Sequence, residues 1–251
     1  MSGHSKWSSI KHQKTIKDVR RGKLFSRLSK NISIAARNGG DPATNPSLRL
    51  AIDQARASNM PNTNIERAIK KGTGEIEGAE IEEFKIEAYG PGGIALVIKV
   101  ISDNKNRALS EIKNILSKNN AKMAETGSVS YMFRPKGEIK LAAAEHQPIG
   151  KDKIEEEIIE SHALDFEEIE GGYLVYTKAA DLGKVKKYFE DKGISIESIK
   201  LIQEAENLIE ITNKEQAQKI LNLLNELEEH EDVDEVYTNF DIKEELLKEI
   251  S

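Results

Sequence analysis

The chain has 251 residues, of which 38% are hydrophobic and none is cysteine, and its formal net charge is −6. The absence of cysteine excludes a disulfide framework, a thiolate metal site and a cysteine nucleophile. No apolar run approaches the roughly 18 residues needed to span a bilayer. We expect a cytoplasmic protein of two or three small domains, with no cofactor and no bound metal.

Positive charge is concentrated at the N-terminus. Residues 1–75 contain 15 lysines and arginines and 5 acidic residues. The remaining residues contain 22 lysines and arginines and 38 acidic residues. Residues 1–37 are denser still, with ten basic residues and the single acid Asp18. Because clustering like charges costs self-repulsion, this pattern predicts an external polyanionic partner.

The basic region divides into an arm and three predicted helices. Residues 1–16 have no regular apolar period, which predicts a mobile arm. From Asp18 to the Asn-Gly-Gly at 38–40, apolar residues recur at helical spacing, and most basic residues fall on the outer face. A second helix is predicted to open at Asn45-Pro46. A third follows Met60-Pro61, with a T-x-x-E capping box at residues 63–66.

After a Gly- and Glu-rich linker at residues 72–78, the spacing of the apolar residues changes and indicates strands and helices in alternation. Strands are predicted near 84–88, 94–101, 128–133, 138–141, 173–177, 194–202, 208–211 and 233–240, with helices near 104–118, 153–161, 180–192 and 214–229. This order predicts α+β sandwiches in which helices cover one face of each sheet.

Motifs for enzyme chemistry are missing. The glycines of residues 72–78 are spaced one residue too far apart for the dinucleotide fingerprint, and they follow a helix instead of a strand. No P-loop and no H-E-x-x-H motif occurs, so we predict no catalytic residue and no metal site. The acidic residues of 226–235, around His230, are interpreted as a solvated surface.

The arm combines the side chains that contact nucleic acids. Lysine and arginine neutralise phosphates, and serine hydroxyls bond phosphate or sugar oxygens. Trp7 either stacks on an unpaired base or anchors the arm under the helical domain. Five further cations either extend this nucleic-acid-binding surface or are exposed to solvent without contacting nucleic acid. They are Arg49, Arg56, Arg67, Lys70 and Lys71. The predicted nucleic-acid-binding residues are His4, Ser5, Lys6, Trp7, Lys11, His12, Lys14, Arg20, Arg21, Lys23, Arg27, Lys30 and Arg37.

Several linked motifs closely resemble the YebC/PmpR family, whose mitochondrial relative is the translational activator of cytochrome c oxidase. They are G-H-S-K-W, I-K-H-x-K, R-R-G-K-L-F-S-R-L, A-A-R-N-G-G, D-P-A-T-N-P-S-L-R, N-M-P-N-T-N-I-E-R-A-I-K-K-G and Y-G-P-G-G. The resemblance implies a multi-domain α and α+β protein in which a three-helix domain precedes two ferredoxin-like α+β domains, the third inserted into the second. We place the boundaries at 1–76, 77–134 with 206–241, and 135–205, followed by a tail at 242–251.

The resemblance also implies a function without a chemical reaction. Members of the family are classed as DNA-binding transcriptional regulators, whereas the mitochondrial relative and some bacterial ones are implicated in translation at the ribosome. By matching position, the resemblance implies nucleic-acid contact for His4, Ser5, Lys6, Trp7, Lys11, His12, Lys14, Arg21 and Lys23.

Three hypotheses follow. The first is a non-enzymatic regulator of gene expression that binds nucleic acid, with duplex DNA or ribosomal RNA as the target; its oligomeric state is left open, with a monomer slightly favoured. A flexible arm suits irregular RNA as well as it suits DNA. The second is a protein–protein adaptor whose acidic domains dock a basic partner. The acidic part of the chain would alternatively mask the arm electrostatically, or serve solubility alone. An enzyme is the third hypothesis, and it has the least support from the sequence.

Overall fold

The computed structural model describes residues 19–77, 80–143, 147, 150–169, 171–243 and 246, and for residues 19–21 it describes the backbone alone. Within these residues the chain forms two compact units. The first comprises residues 19–55, 60–134 and those from 204 onward, and the second comprises 135–203 together with 56–59. No helix in the described ranges is long and apolar enough to cross a membrane.

The first unit begins with a helical domain of three helices, α1 (Val19–Ala36), α2 (Pro46–Ala57) and α3 (Asn62–Gly72). Their inward faces form one apolar cluster, which includes Ile32, Leu48 and Ile65. As predicted, α2 follows Asn45, whose Oδ1 accepts the backbone N–H of Leu48 at 3.0 Å. The same side chain donates from Nδ2 to the carbonyl oxygens of residues 35 and 39, so it also fixes the turn after α1.

The capping box predicted for α3 is wrong. The helix begins at Asn62, after Pro61, and no side chain caps it. The carbonyl oxygen of Pro61 accepts the backbone N–H groups of Asn64 and Ile65 instead. Because the helix starts earlier than the motif requires, Thr63 already lies within the first turn and does not serve as the N-cap.

Helices α1 and α3 cross at close range where Gly72 meets α1. A Cβ atom added to Gly72 would lie 2.2 Å from the carbonyl oxygen of Ser33 and 2.7 Å from the Cβ of Ala36. The hydroxyl of Ser33, which is buried, donates to the carbonyl oxygen of Ala68 at 2.8 Å. Glycine at position 72 therefore allows the two helix backbones to approach this closely.

An α+β domain completes the first unit. Its elements are β1 (Glu82–Tyr89), β2 (Ala95–Ser102), α4 (Lys105–Lys118), β3 (Lys122–Met123), then β8 (Ile209–Ile211), α7 (Lys214–Glu229), β9 (Val233–Thr238) and β10 (Phe240–Ile242). The main sheet has the antiparallel order β3–β1–β2–β9, and β8 pairs with β10 in parallel. Ile98 of β2 pairs with Ile86 and Val236, and these residues belong to one core with Ile112 of α4 and Ile220 of α7.

The strand predicted at 128–133 is not formed. Residues 130–132 make a single 3-10 turn, and only Phe133 begins a strand. The segment before it is held by Glu87 of β1, which is buried. Its Oε1 accepts the backbone N–H of Gly127 at 2.7 Å, and its Oε2 accepts those of Val129 and Ser130 at 2.6 and 3.0 Å.

Glu87 keeps its charge despite its burial. Burial alone would raise the pKa of Glu87, but the backbone N–H groups of Val129, Gly127 and Ser130 outweigh it. The pKa of Glu87 therefore lies below its ordinary value, and the carboxylate is ionised at neutral pH.

The second unit is an α+β domain inserted between β3 and β8. Its elements are β4 (Phe133–Ala142), α5 (Lys151–Glu160), β5 (Asp165–Ile169), β6 (Gly172–Lys178), α6 (Leu182–Asp191) and β7 (Ile196–Ala205). The βαββαβ sequence with sheet order β5–β6–β4–β7 is the ferredoxin-like arrangement. The two ends of the inserted segment lie next to each other in the first unit, where the backbone N–H of Glu206 donates to the carbonyl oxygen of Met132 at 2.9 Å. The predicted fold class, with the third domain inserted into the second, is confirmed.

Candidate nucleic-acid interface

The predicted nucleic-acid-binding residues fall into three groups. His4, Ser5, Lys6, Trp7, Lys11, His12 and Lys14 lie outside the described residues. Arg20 and Arg21 belong to the first turn of α1, where the backbone alone is described. Lys23, Arg27, Lys30 and Arg37 are described with their side chains, and their surroundings can be compared with the prediction.

Lys23, Arg27 and Lys30 form a line along α1 that we call the basic stripe. They are spaced by four and three residues, so they project from the same face of the helix. Lys23 Nζ donates to the carbonyl oxygen of Glu229 at 2.9 Å. Arg27 donates from a terminal guanidinium nitrogen to the carbonyl oxygen of Asp234 at 3.2 Å. The stripe therefore lies against the end of α7 and against β9.

Lys30 makes the most buried contact of the stripe. Its Nζ lies 2.6 Å from Oδ1 of Asp232, a carboxylate with no exposed surface, and 3.1 Å from the carbonyl oxygen of Glu231. The other oxygen of Asp232 accepts from the Arg107 guanidinium at 2.8 Å and from the Ser102 hydroxyl at 3.0 Å. Burial alone would raise the pKa of Asp232, but the hydrogen bonds from Lys30 and Arg107 outweigh it and lower that pKa.

A second carboxylate, that of Asp234, extends this junction. Its Oδ1 accepts from Asn31 Nδ2 of α1 at 2.9 Å, and its Oδ2 lies 3.0 Å from Lys99 Nζ of β2. Lys99 also lies 3.3 Å from a carboxylate oxygen of Glu83. Burial alone would lower the pKa of Lys99, but the charges of Asp234 and Glu83 outweigh it and raise that pKa. Each carboxylate thus joins α1 to a cation of the α+β domain.

We predicted that the basic residues of α1 face outward; Lys23 is exposed as predicted, and the structure corrects the prediction for Arg27 and Lys30, which are half-buried. The helical period identifies side chains that avoid the core of the helical domain, but not what else covers them. Here the acidic end of the α+β domain covers Arg27 and Lys30. Whether these residues also bind nucleic acid remains a prediction.

Other cations of the helical domain remain exposed. Arg49 of α2 and Arg67 and Lys70 of α3 are exposed, and within the described ranges their side chains have no hydrogen bond or ion pair. Arg37 lies 3.6 Å from Glu80, and their side chains are 39% and 81% exposed. With Lys71, Arg37 lines an open cleft of about 630 Å³ beside Gly72. The sequence left Arg49, Arg67 and Lys70 between two interpretations; all three are exposed, and their contact with nucleic acid stays a prediction.

One group of side chains has the composition of a metal site. Ligand atoms of Glu111, His230 and Asp232 lie within 4.8 Å of one another. The oxygens of Asp232 already accept from Lys30 and Arg107, as described above. His230 Nδ1 accepts the backbone N–H of Asp232 at 3.2 Å, so the imidazole Nε2–H donates to Glu111 at 2.9 Å. The group is therefore satisfied by hydrogen bonds and ion pairs within the protein.

Comparisons with known proteins agree on one family. Residues 5–75 match the family model of the TACO1/YebC protein N-terminal domain, and residues 81–240 match that of the TACO1/YebC second and third domain. A "Probable transcriptional regulatory protein" of Halothermothrix orenii is 46% identical over 252 residues, which cover 100% of this chain and 99% of the relative. A protein of the same description from Chlorobium phaeovibrioides is 45% identical, with 97% of both chains covered.

A solved structure has the same architecture. The crystal structure of a conserved hypothetical protein from Aquifex aeolicus superimposes with a TM-score of 0.85 at 42% sequence identity, covering 93% of this chain and 96% of that one. Both family models together span nearly the whole chain. From its N-terminal motifs to its last strand, this chain belongs to the TACO1/YebC family.

Proposed function

We propose that this protein is a non-enzymatic regulator of gene expression that binds nucleic acid through its arm and its helical domain. The observation that carries the proposal is the segregation of charge, with 15 basic and 5 acidic residues in 1–75 of a chain that is acidic overall. The exposed cations Arg49, Arg67 and Lys70 support it from the folded part of the domain. The names of the relatives, which describe transcriptional regulatory proteins, support a role in regulation.

Affinity for nucleic acid is expected to fall steeply with salt, because neutralising phosphates releases condensed counterions. If six phosphates of a duplex are neutralised, a plot of log affinity against log salt concentration has a slope of roughly −5. Fluorescence anisotropy of a labelled 20-base-pair duplex and of a labelled single-stranded RNA measures this slope. Binding that is absent, or that does not respond to salt, contradicts the proposal.

The contribution of the arm is tested by charge reversal. Changing Lys6, Lys11 and Lys14 to glutamate is expected to weaken binding strongly and to make the salt slope less steep, because three phosphate contacts are lost. The matched control reverses three well-exposed lysines of the acidic part, Lys118, Lys184 and Lys243. An equal loss in both triple variants would indicate a dependence on net charge and not a contact by the arm.

The target is duplex DNA or ribosomal RNA, and one pair of assays separates them. Co-sedimentation with ribosomes that is lost on deleting residues 2–16 identifies a translation factor. Sequence-selective binding to promoter duplexes, without co-sedimentation, identifies a transcriptional regulator. An adaptor that works through its acidic domains would instead keep its partner after charge reversal of the arm, and pull-down with both triple variants tests that alternative.

A further inference from the structure

The basic stripe lies against an unusually acidic stretch of the chain. Residues 226–235, which we call the acidic segment, contain seven acids, and no lysine or arginine occurs between Ile220 and Ile242. We propose that the acidic segment is an internal competitor that occupies the phosphate-binding groups of α1, and that nucleic acid displaces it. This inference rests on the proposed function, because it concerns the regulation of the same binding site.

The contacts leave the stripe little capacity for a phosphate. The Lys23 ammonium binds the carbonyl oxygen of Glu229, and the Lys30 ammonium binds both a carbonyl and a carboxylate oxygen. The Lys30 side chain retains only 20% of its exposure. A phosphate approaching α1 would have to take these donors and would face the neighbouring carboxylates. In the arrangement observed, Arg27 and Lys30 are therefore little accessible to a phosphate, and the exposed Lys23 already donates to a carbonyl oxygen.

The junction is built so that it can open at modest cost. If α1 moved away, Asp232 would keep the Arg107 guanidinium and the Ser102 hydroxyl, and Asp234 would keep the Lys99 ammonium. Removing the only partner of a buried charge is strongly destabilising, but neither carboxylate would be left without a partner. Both carboxylates would still be paired with cations of the α+β domain after α1 had moved away.

The apolar cluster of the helical domain and the cluster around Ile98 and Ile220 are separate and share no residue. The contacts described between α1 and the acidic segment are instead hydrogen bonds and ion pairs. Interfaces of this polar kind separate more easily than apolar ones.

A cross-link across the junction tests the proposal, and the absence of native cysteine makes the labelling specific. Asn31→Cys and Asp234→Cys replace two side chains that touch at 2.9 Å, and a short bismaleimide joins them. The affinity of this variant for the labelled duplex and RNA is measured before and after cross-linking. A matched cross-link within the α+β domain, between Glu82→Cys and Lys105→Cys, controls for the chemical modification.

We expect the cross-linked junction to bind nucleic acid roughly tenfold more weakly than the same variant before cross-linking, because the cations of the stripe can no longer exchange their partners for phosphates. With three cations withheld, the slope of log affinity against log salt is expected to be less steep by about 2.7. The control cross-link is expected to change neither quantity. Equal affinity and equal slope before and after closing the junction would overturn the inference while leaving the proposed function standing. No binding by the unmodified wild type would overturn both.

A second pair of cysteines tests whether the effect of the first pair is caused by a folding defect. Lys23→Cys and Glu229→Cys lie at the exposed rim of the junction, so they leave Asp232 and Asp234 intact. A longer bismaleimide is expected to weaken binding here as well. Because this pair removes one cation of the stripe, closing the junction is expected to change the salt slope by about 1.8. An unchanged slope in this pair would count against the inference independently.

Discussion

Replacing Glu87 by glutamine is expected to lower the free energy of unfolding by about 3 kcal/mol at pH 7. The carboxylate accepts three backbone N–H groups, and a glutamine turns its NH2 group towards at least one of these donors. An unpaired buried N–H group costs free energy because it has given up water without gaining a partner. Urea unfolding measures the loss, and hydrogen exchange of residues 124–130 locates it.

The matched control is Glu82→Gln on the same strand. Glu82 is exposed and lies 3.8 Å from Lys105, so its loss is expected to change the free energy of unfolding by less than about 0.5 kcal/mol. A Glu87→Gln variant as stable as the control would show that the three hydrogen bonds do not hold the segment.

The effect of Glu87 is also expected to depend on pH. Because the pKa of Glu87 is lower in the folded protein than its ordinary value of 4.5, its contribution is fully present above that value. As the pH falls through the lowered pKa, protonation removes the contribution, and the difference between wild type and Glu87→Gln narrows. Unfolding measured from pH 7 down to about pH 3 follows this change. A difference that stays constant over this range would contradict the assignment.

Replacing Gly72 by alanine is expected to destabilise the helical domain by about 3 kcal/mol. The added Cβ would overlap the Ser33 carbonyl oxygen and the Ala36 Cβ, and both belong to the α1 backbone or sit next to it. Relief therefore requires one helix to move, because no flexible side chain can rotate away. Hydrogen exchange resolved to α1 and α3 measures the loss separately from the other domains, which need not unfold together with them.

Gly22→Ala is the matched control. Gly22 lies within α1, and among the described residues no atom outside the helix would lie within 4 Å of its added Cβ. Alanine is the better helix former by about 0.5–1 kcal/mol, so this variant is expected to be more stable than the wild type. If both alanine variants behaved alike, helix propensity and not the close crossing would govern position 72.

Much of the fold could be predicted because local signals and tertiary packing agree. Helix α7 was predicted with the bounds observed, Lys214–Glu229, since Asn213 caps it and its apolar stripe is buried in the core. The alternation in β1 correctly predicted a strand, but it assigned Glu87 to a polar face. Its burial depends on residues 127–130 folding back over the strand, and no local period carries that information.

At the candidate interface too, local sequence patterns did not reveal contacts between residues that are distant in the chain. The sequence identified the cations of α1 and separated them from the apolar core of the helical domain. It did not reveal their contact with residues about 200 positions away. The acidic segment was visible as a run of seven acids without a lysine or arginine, and its complementarity to the basic stripe was the signal available. Only the packing of α1 beside β9 shows that the two charges meet.

The hydrogen bond between Met132 and Glu206 bears on the evolution of the inserted domain. A segment whose two ends meet can be gained or lost by a single insertion or deletion in the gene, without breaking the sheet that hosts it. The ferredoxin-like domain is joined in this way, and Arg134 and Glu206 close the gap further with an ion pair of 2.8 Å. Such a join, with the two ends of residues 135–203 close together, is the kind of place at which the insertion of a whole domain is tolerated.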